Sequence, residues 1–517
     1  MNRRLLPTSS SLKIALLSTI ALAPLLGVAN AQTARPVLID PALSARTAVG
    51  GLTTPIGIAF LGNRDWLVIE KDTGRVKRVV GGAVSSTALD LAVNNSSERG
   101  LLGIALHPQF ETNHYVYLFW TCRAAPPPAS TPFFPTATEC PDTPALGADT
   151  DDILAVPLLG NRVDRFVWNG STLRFDRNLI KLRAFQNDGA PVPTGQGDAG
   201  QPPAGNHNAG VIRFGPDGKL YIQFGDNGRR GQLQNLPSGP TPTGLGPTVP
   251  DDQFGGPEPD NAHFTGVIIR LNDDGTTPTD NPFRAAGAAT GGEVGANIAK
   301  IFAYGLRNGF GMAFDPASGR LWDQENGDDA FDELNRVERG MNSGWIQVTG
   351  PSSRLGQYRQ IETASGSLQQ LRWGPGRIAG SPADAFARMF KLPGSHHSQP
   401  EFAWRYVVAP GGIGFLRGQA LGTRYQGNLF VGSAVPDPMG GPLFRFTLNR
   451  DRTGILARDS RLLDGVMDNL APHELTEGET ILFGFNFGTV TDVQTAPNGH
   501  LFVVSLTAGR IYEISRN

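Results

Sequence analysis

The stretch Gly205–Asp226, "GNHNAGVIRFGPDGKLYIQFGD", decides the fold. Its second half is an alternating apolar run, a Pro216-Asp217-Gly218 turn and a second apolar run. That order is the signature of a β-hairpin. Its first half places His207 between Asn206 and Asn208, with the small pair Ala209-Gly210 just before the strand. The position predicts a loop that hands a histidine to the start of a strand.

The same unit returns along the chain. Related stretches begin at Pro55, Gly100, Gly309, Gly411 and Gly488, each a small or Gly-rich entry, an alternating strand, a turn and a Leu-Tyr-Ile or Leu-Phe-Val strand. A third strand often follows, as in "GRVKRVV", "PLFRFTL" and "GRIYEIS". Six units recur at about 80 residues, longer than the roughly 40–50 of common propeller repeats. Gly/Pro-rich insertions near 124–149, 189–203 and 237–260 account for the excess and read as loops. The fold class expected is all-β, a six-bladed β-propeller of four-stranded antiparallel blades with long inter-strand loops, over a single domain 32–517. Two stacked sandwiches would need no shared repeat.

Composition agrees. The 517 residues include 65 Gly, 40 Pro and only 6 Met, a mix suited to many short strands and many turns. The formal net charge of −2 supplies no basic field for nucleic acid. The first residues, "MNRRLLPTSSSLKIALLSTIALAPLLGVANAQ", have early cations, an apolar stretch Ile14–Val28 and Ala29-Asn30-Ala31. This is the three-part pattern of a secretory signal cleaved near Ala31, so a periplasmic or secreted location with no stable membrane insertion is expected. Pro24 and the shortness of the apolar stretch oppose a membrane anchor. The two cysteines, Cys122 and Cys140, flank a short Pro-rich loop and read as one structural disulfide in an oxidising compartment.

In a propeller the loops entering the innermost strands converge on the channel mouth. Glu98-Arg99, His207 and Arg307-Asn308 all occupy such loops. A histidine base needs a partner carboxylate to fix its tautomer, and Asp226 closes the His207 hairpin. The rim position predicts open space beside His207 for a substrate proton. Arg307 offers a fork of donors to a carboxylate or an electron-rich carbonyl. "WDQENGDDAFDELN" at 322–335 is acidic around Gly327, a polar turn or a Ca²⁺ loop without EF-hand spacing. His396-His397 reads as a solvated loop.

The motifs "ERGLLGIALHPQF", "HNAGVIRFGPDGKLYIQFGD", "YGLRNGFGMAFDPASGRLW", "DELNRVERGMNSGW" and "APGGIGF" stand in the order seen in the soluble PQQ-dependent sugar dehydrogenases, the glucose/sorbosone dehydrogenase family. The resemblance covers about residues 50–515. It implies a six-bladed propeller and an oxidoreductase that passes a hydride from a sugar or related alcohol to PQQ, then electrons to an external acceptor. It implies His207 as catalytic base, Asp226 beside it, and Arg307 and Asn308 on the quinone. It also implies Glu98 in the pocket, and Ca²⁺ held partly by backbone carbonyls at Gly327 and Asp328.

The sequence departs from the family's pattern where PQQ's three carboxylates are normally met. The family's Arg-x-Arg-Asp-Val in the last blade is here Thr489-Val490-Thr491-Asp492-Val493. The lysine expected after "LFVGS" has no equivalent, leaving Arg229, Arg230 and Arg405 as the cations that could compensate from other loops. A second reading is therefore a propeller that binds a carbohydrate or partner without PQQ. A third is a Ca²⁺-dependent lactone hydrolase, for which few carboxylates converge.

Overall fold

Each of the six recurring units becomes an antiparallel strand pair. The Gly205–Asp226 hairpin is Ile212–Phe214 against Leu220–Phe224, in register Ile212 to Ile222. Its turn closes through the Gly215 N–H, which donates to the Lys219 carbonyl at 2.9 Å, with Gly218 at φ 72°. The computed structural model describes residues 35–125, 137, 139–184, 205–228, 235, 264–365, 376, 378–434 and 440–517. The expected export signal and the insertions at 189–203 and 237–260 lie outside the described residues, as do Arg229, Arg230 and part of 124–149.

The described strands form six sheets in an all-β, propeller-like arrangement. The innermost strands are Pro55–Gly62, Leu101–Leu106, Ile212–Phe214, Gly311–Phe314, Pro410–Phe415 and Val490–Thr495. Each packs beside the next, and the last packs beside the first, so they enclose a central channel. Such close packing requires missing side chains: a Cβ on Gly414 would stand 1.9 Å from the Val493 carbonyl oxygen. Each sheet then runs outward as a meander, its second strand nearly or wholly buried because neighbouring sheets cover both faces.

The strand count corrects the uniform four-stranded expectation. Three sheets have four strands, and the others have five, five and six. The additions are short strands that return along an outer edge: Val37–Leu38, Met341–Asn342, His396–His397 and Val466–Met467. Most pair in parallel, unlike the main meanders. They satisfy backbone groups that an outer strand would otherwise leave open. His396-His397 is thus an edge strand, not a loop.

The ring closes with both chain ends. Leu43–Gly50 is the outermost strand of the last sheet, paired with Arg510–Arg516. The seam between the first and last sheets is apolar, with Trp66 edge-on to Phe502 at 5.1 Å among Ile58, Val68, Val504 and Ile511. The expected Cys122–Cys140 disulfide is formed. Among the described residues no helix is long and apolar enough to cross a membrane.

Candidate active site at the channel mouth

His207 stands in the loop before Ile212–Phe214 with φ 54°, a left-handed conformation that turns its ring back toward the second strand of its hairpin. There its Nδ1 meets Asp226 Oδ1 at 2.6 Å. An ionised carboxylate only accepts, so Nδ1 carries the proton and Nε2 keeps a lone pair for a substrate. Gly225 makes room for this fold-back: a Cβ there would stand 2.3 Å from the His207 carbonyl oxygen. The expectation of an open rim is corrected, because His207 is only 4% exposed and Asp226 1%. The loop folds inward rather than lying across the mouth. The small Gly210 accommodates Leu102, 2.5 Å from where its Cβ would stand, rather than clearing ground beside the ring.

Asp226 is held on every side. Its Oδ1 also accepts the Gly228 N–H at 2.7 Å, and its Oδ2 accepts Trp345 Nε1–H at 2.8 Å. Its backbone N–H donates to the Arg307 carbonyl at 2.8 Å, which ties the His207 hairpin to the next inner loop. The face of Trp345 lies under Arg307, 5.4 Å from guanidinium carbon to ring centre. One indole therefore touches both the carboxylate behind His207 and the arginine.

Arg307 and Asn308 precede Gly311–Phe314. Glu325 Oε2 accepts both their backbone N–H groups, at 2.6 and 3.2 Å. Arg307 donates to the Asn326 carbonyl at 3.0 Å and pairs with Asp328 at 2.9 Å. Burial pushes Glu325 well above the usual carboxylate range, with the charge of Asp323 adding to it. Burial likewise pushes Asp323 to about 8, Glu333 to about 7 and Asp332 to about 6. Glu98 reaches the same place from the second sheet: its Oε2 accepts the His207 N–H at 2.7 Å and Asn308 Nδ2–H at 3.0 Å. The neighbouring Arg99 is fully buried and donates to the carbonyls of Ala184 and Gly205 at 3.2 and 3.1 Å, anchoring the start of the His207 loop. Burial brings its pKa down to about 9.

The structure thus joins Glu98, His207, Asp226, Arg307, Asn308 and Asp328 through direct contacts. The remaining expected residues stand apart from that network. Thr491 donates to the Pro55 carbonyl at 3.3 Å and lines a narrow part of the channel with Ala209, Phe310 and Asp492. The Thr489 N–H donates to Thr507 Oγ1. Arg405 lies over Tyr406, with Asp468 3.9 Å away, and does not join this network. The Gly327 N–H is taken by Asp332 Oδ1 at 2.7 Å. Among the described residues no group of three or more His, Cys, Asp or Glu side chains is placed to hold a metal ion. Any Ca²⁺ at this loop would rest on backbone carbonyls, as the resemblance implies.

Two residues escaped the sequence reading. Trp345 lies in an irregular segment after "GMNSG", where nothing local marks it as a partner of Asp226. Asn227 is fully buried, and neither its Nδ2 nor its Oδ1 has a hydrogen-bond partner; Asn308 Oδ1 is likewise unmet. Unmet buried polar atoms cost about 1–3 kcal/mol each and mark places where a ligand completes the structure. Asn227 follows Asp226 directly, so a sequence signal existed: an amide beside the base's carboxylate.

A buried His–Asp pair stands beside an Arg-Asn pair at one mouth of a propeller-like channel. The Glucose / Sorbosone dehydrogenase family matches residues 52–131 and 198–386, just over half of the chain, and the chain belongs to that family. An uncharacterized protein of Synechocystis is 26% identical over 90% of this chain and 84% of its own length. The quinoprotein glucose dehydrogenase B of Acinetobacter calcoaceticus is 28% identical over 68% of this chain and 62% of its own. The aldose sugar dehydrogenase of Escherichia coli is 28% identical over 48% of this chain and 51% of its own. The chain thus matches under two thirds of the length of those two enzymes. In fold it is similar to the soluble aldose sugar dehydrogenase of Escherichia coli in its apo form, TM-score 0.55 at 21% identity, over 92% of this chain and 100% of that one. It is also similar to the PQQ-bound aldose sugar dehydrogenase of Streptomyces coelicolor, TM-score 0.51 at 23% identity, over 92% and 98%. The family supports an oxidoreductase acting on sugars.

Proposed function

We propose that the chain is an exported, six-bladed quinoprotein that oxidises a hydroxyl of a sugar or related alcohol, with His207 as base and PQQ and Ca²⁺ as cofactors. The observation that carries this reading is the 2.6 Å His207–Asp226 contact beside Arg307 and Asn308. The unmet amide groups of Asn227 and Asn308 suit a ligand rich in carbonyl and carboxylate oxygens and ring N–H. PQQ, when bound, supplies the acceptor for the hydride that leaves the substrate carbon. His207 Nε2 takes the hydroxyl proton as that hydride departs, and Asp226 stabilises the imidazolium that results. Arg307 would meet negative charge developing on the acceptor, and its Trp345 platform and Asp328 partner fix its direction beforehand. The carbonyls of Gly327 and Asp328 are the candidate Ca²⁺ ligands.

Reconstitution of the protein lacking residues 1–31 with PQQ and Ca²⁺, followed by an aldose panel with an artificial electron acceptor, tests the reading. Turnover with a bound-quinone spectrum supports it; neither across the panel overturns it. Export is tested separately, by N-terminal sequencing of protein recovered outside the cytoplasm for a start at Gln32.

One observation favours a second reading, a carbohydrate-binding propeller without PQQ chemistry. Around His207 the described side chains include Glu98, Asp226 and Asp328, while the arginines are Arg307, already paired with Asp328, and Arg99, which is buried against Asn94 Oδ1 and the Ala184 and Gly205 carbonyls. Each missing charge-assisted bond to a tricarboxylate forfeits about 1.5–3 kcal/mol. Calorimetry separates the readings: sugar binding with no PQQ binding favours the second, and tight PQQ binding removes it.

A further inference from the structure

The channel has a second mouth. The inner strands end there, away from the His207 loops, around a chamber of about 700 Å³ bounded by all six strands. Phe60, Phe214, Phe314 and Phe415 line it, and among the described residues Arg213 and Arg417 are its only charged ones, with no carboxylate in the lining. Phe60, Phe214 and Phe314 keep part of their surface open, and each also packs edge-on against a ring of its own or a neighbouring sheet. Arg213 pairs with Asp492 at 2.8 Å, a contact that spans two inner strands between this chamber and the narrow cavity nearer His207. That cavity holds only about 30 Å³. The two mouths are therefore separate sites.

Charge decides what the far chamber accepts. Asp492 balances Arg213, whereas Arg417 is exposed and its guanidinium makes no hydrogen bond or ion pair among the described residues. The chamber thus carries one uncompensated positive charge over an aromatic lining. A volume in the range of small-molecule sites, a lining about half apolar that carries four phenylalanines, and one unpaired guanidinium select a flat aromatic body with one anionic group. We propose that the far chamber is a binding site for a small planar organic anion, an aromatic or conjugated carboxylate. Arg417 takes the carboxylate and the phenylalanine rings take the flat body. The site is independent of the redox chemistry at the other mouth.

The test uses the mature chain without added cofactor. Naphthoate is titrated by calorimetry beside its neutral counterpart naphthamide, into wild type, Arg417→Gln and His207→Asn. The expected result is one naphthoate per chain, weakened about tenfold or more by Arg417→Gln, as loss of one charge-assisted bond predicts. Naphthamide binding, weaker from the outset, is expected to ignore that substitution, and His207→Asn to leave naphthoate binding unchanged. Arg417 is on the surface, so Arg417→Gln is expected to melt with wild type. No binding of naphthoate, equal binding of naphthamide, or naphthoate affinity lost with His207→Asn and kept with Arg417→Gln overturns the proposal. Because no quinone is present, failure here is distinct from failure of the dehydrogenase reading.

Discussion

Trp345 grips Asp226 from the side opposite His207: indole Nε1–H meets Oδ2 at 2.8 Å while His207 Nδ1 meets Oδ1 at 2.6 Å. The orientation of His207 therefore depends on a tryptophan more than a hundred residues further along the chain. Trp345→Phe keeps the ring under Arg307 and removes only the N–H. Loss of a hydrogen bond to a buried carboxylate is worth about 1.5–3 kcal/mol. The expected outcome is a fall in kcat of about tenfold or more with KM little changed, measured by steady-state kinetics of the reconstituted enzyme.

Asp226→Asn tests the tautomer. The new amide can donate to Nδ1, which moves the imidazole proton to Nε2 and removes the lone pair that faces substrate. Where this has been done in a His–Asp pair of another enzyme class the loss is about 10⁴-fold in kcat. A loss of about that size is expected here, with a lowered melting temperature, because the new NH2 faces the Gly228 N–H that Oδ1 now accepts. Retained activity would show that His207 is not the base.

Arg99→Lys tests the anchor of the His207 loop. Its guanidinium joins Asn94 Oδ1 and the carbonyls of Ala184 and Gly205, at 2.9, 3.2 and 3.1 Å. A lysine cannot reproduce that fork. Denaturant unfolding is expected to show a loss of about 2 kcal/mol, and limited proteolysis to cut near Gly205 sooner than in wild type.

The buried carboxylates predict how stability follows pH. Burial holds Asp323 at about 8 and Glu333 at about 7 in the folded state. The unfolded chain releases these protons near pH 4, so above that pH the folded state binds more protons than the unfolded one. Stability from these two groups is therefore greatest at low pH and falls until pH passes the folded values. Thermal melts are expected to show a midpoint falling from about pH 5 to about pH 8. Asp323→Asn with Glu333→Gln is expected to flatten that slope, and an unchanged slope would assign it to other groups.

The disulfide closes a loop with a sequence separation of 18. Replacing both cysteines by alanine is expected to cost about 3 kcal/mol in chemical denaturation, and more where the alanines leave space that the buried sulfur atoms filled. Dithiothreitol is expected to lower the wild-type midpoint and leave the alanine variant unmoved.

Much of the fold was legible because its information is local and repeated. An alternating run, a turn and a buried run announce a strand pair wherever they occur, and all six announced pairs exist. The edge strands at Met341–Asn342 and His396–His397 were not legible, since two residues carry no period and pair only because a long insertion returns to them. At the site, His207, Arg307, Asn308 and Glu98 were legible from one rule, their place before an inner strand, and Asp226 from its place at the end of the His207 hairpin. Trp345 was not, because it arrives from an irregular segment. The depth of His207 was not either, since a left-handed backbone at a non-glycine residue leaves no mark in composition.

The pairing of Leu43 with Arg516 sets a timetable. Until the last few residues exist, the final sheet lacks two of its strands and the apolar seam around Trp66 and Phe502 stands open. Synthesis therefore leaves the ring unsealed until Arg510–Arg516 has been made, and a truncation that removes this strand releases a ring with an exposed edge.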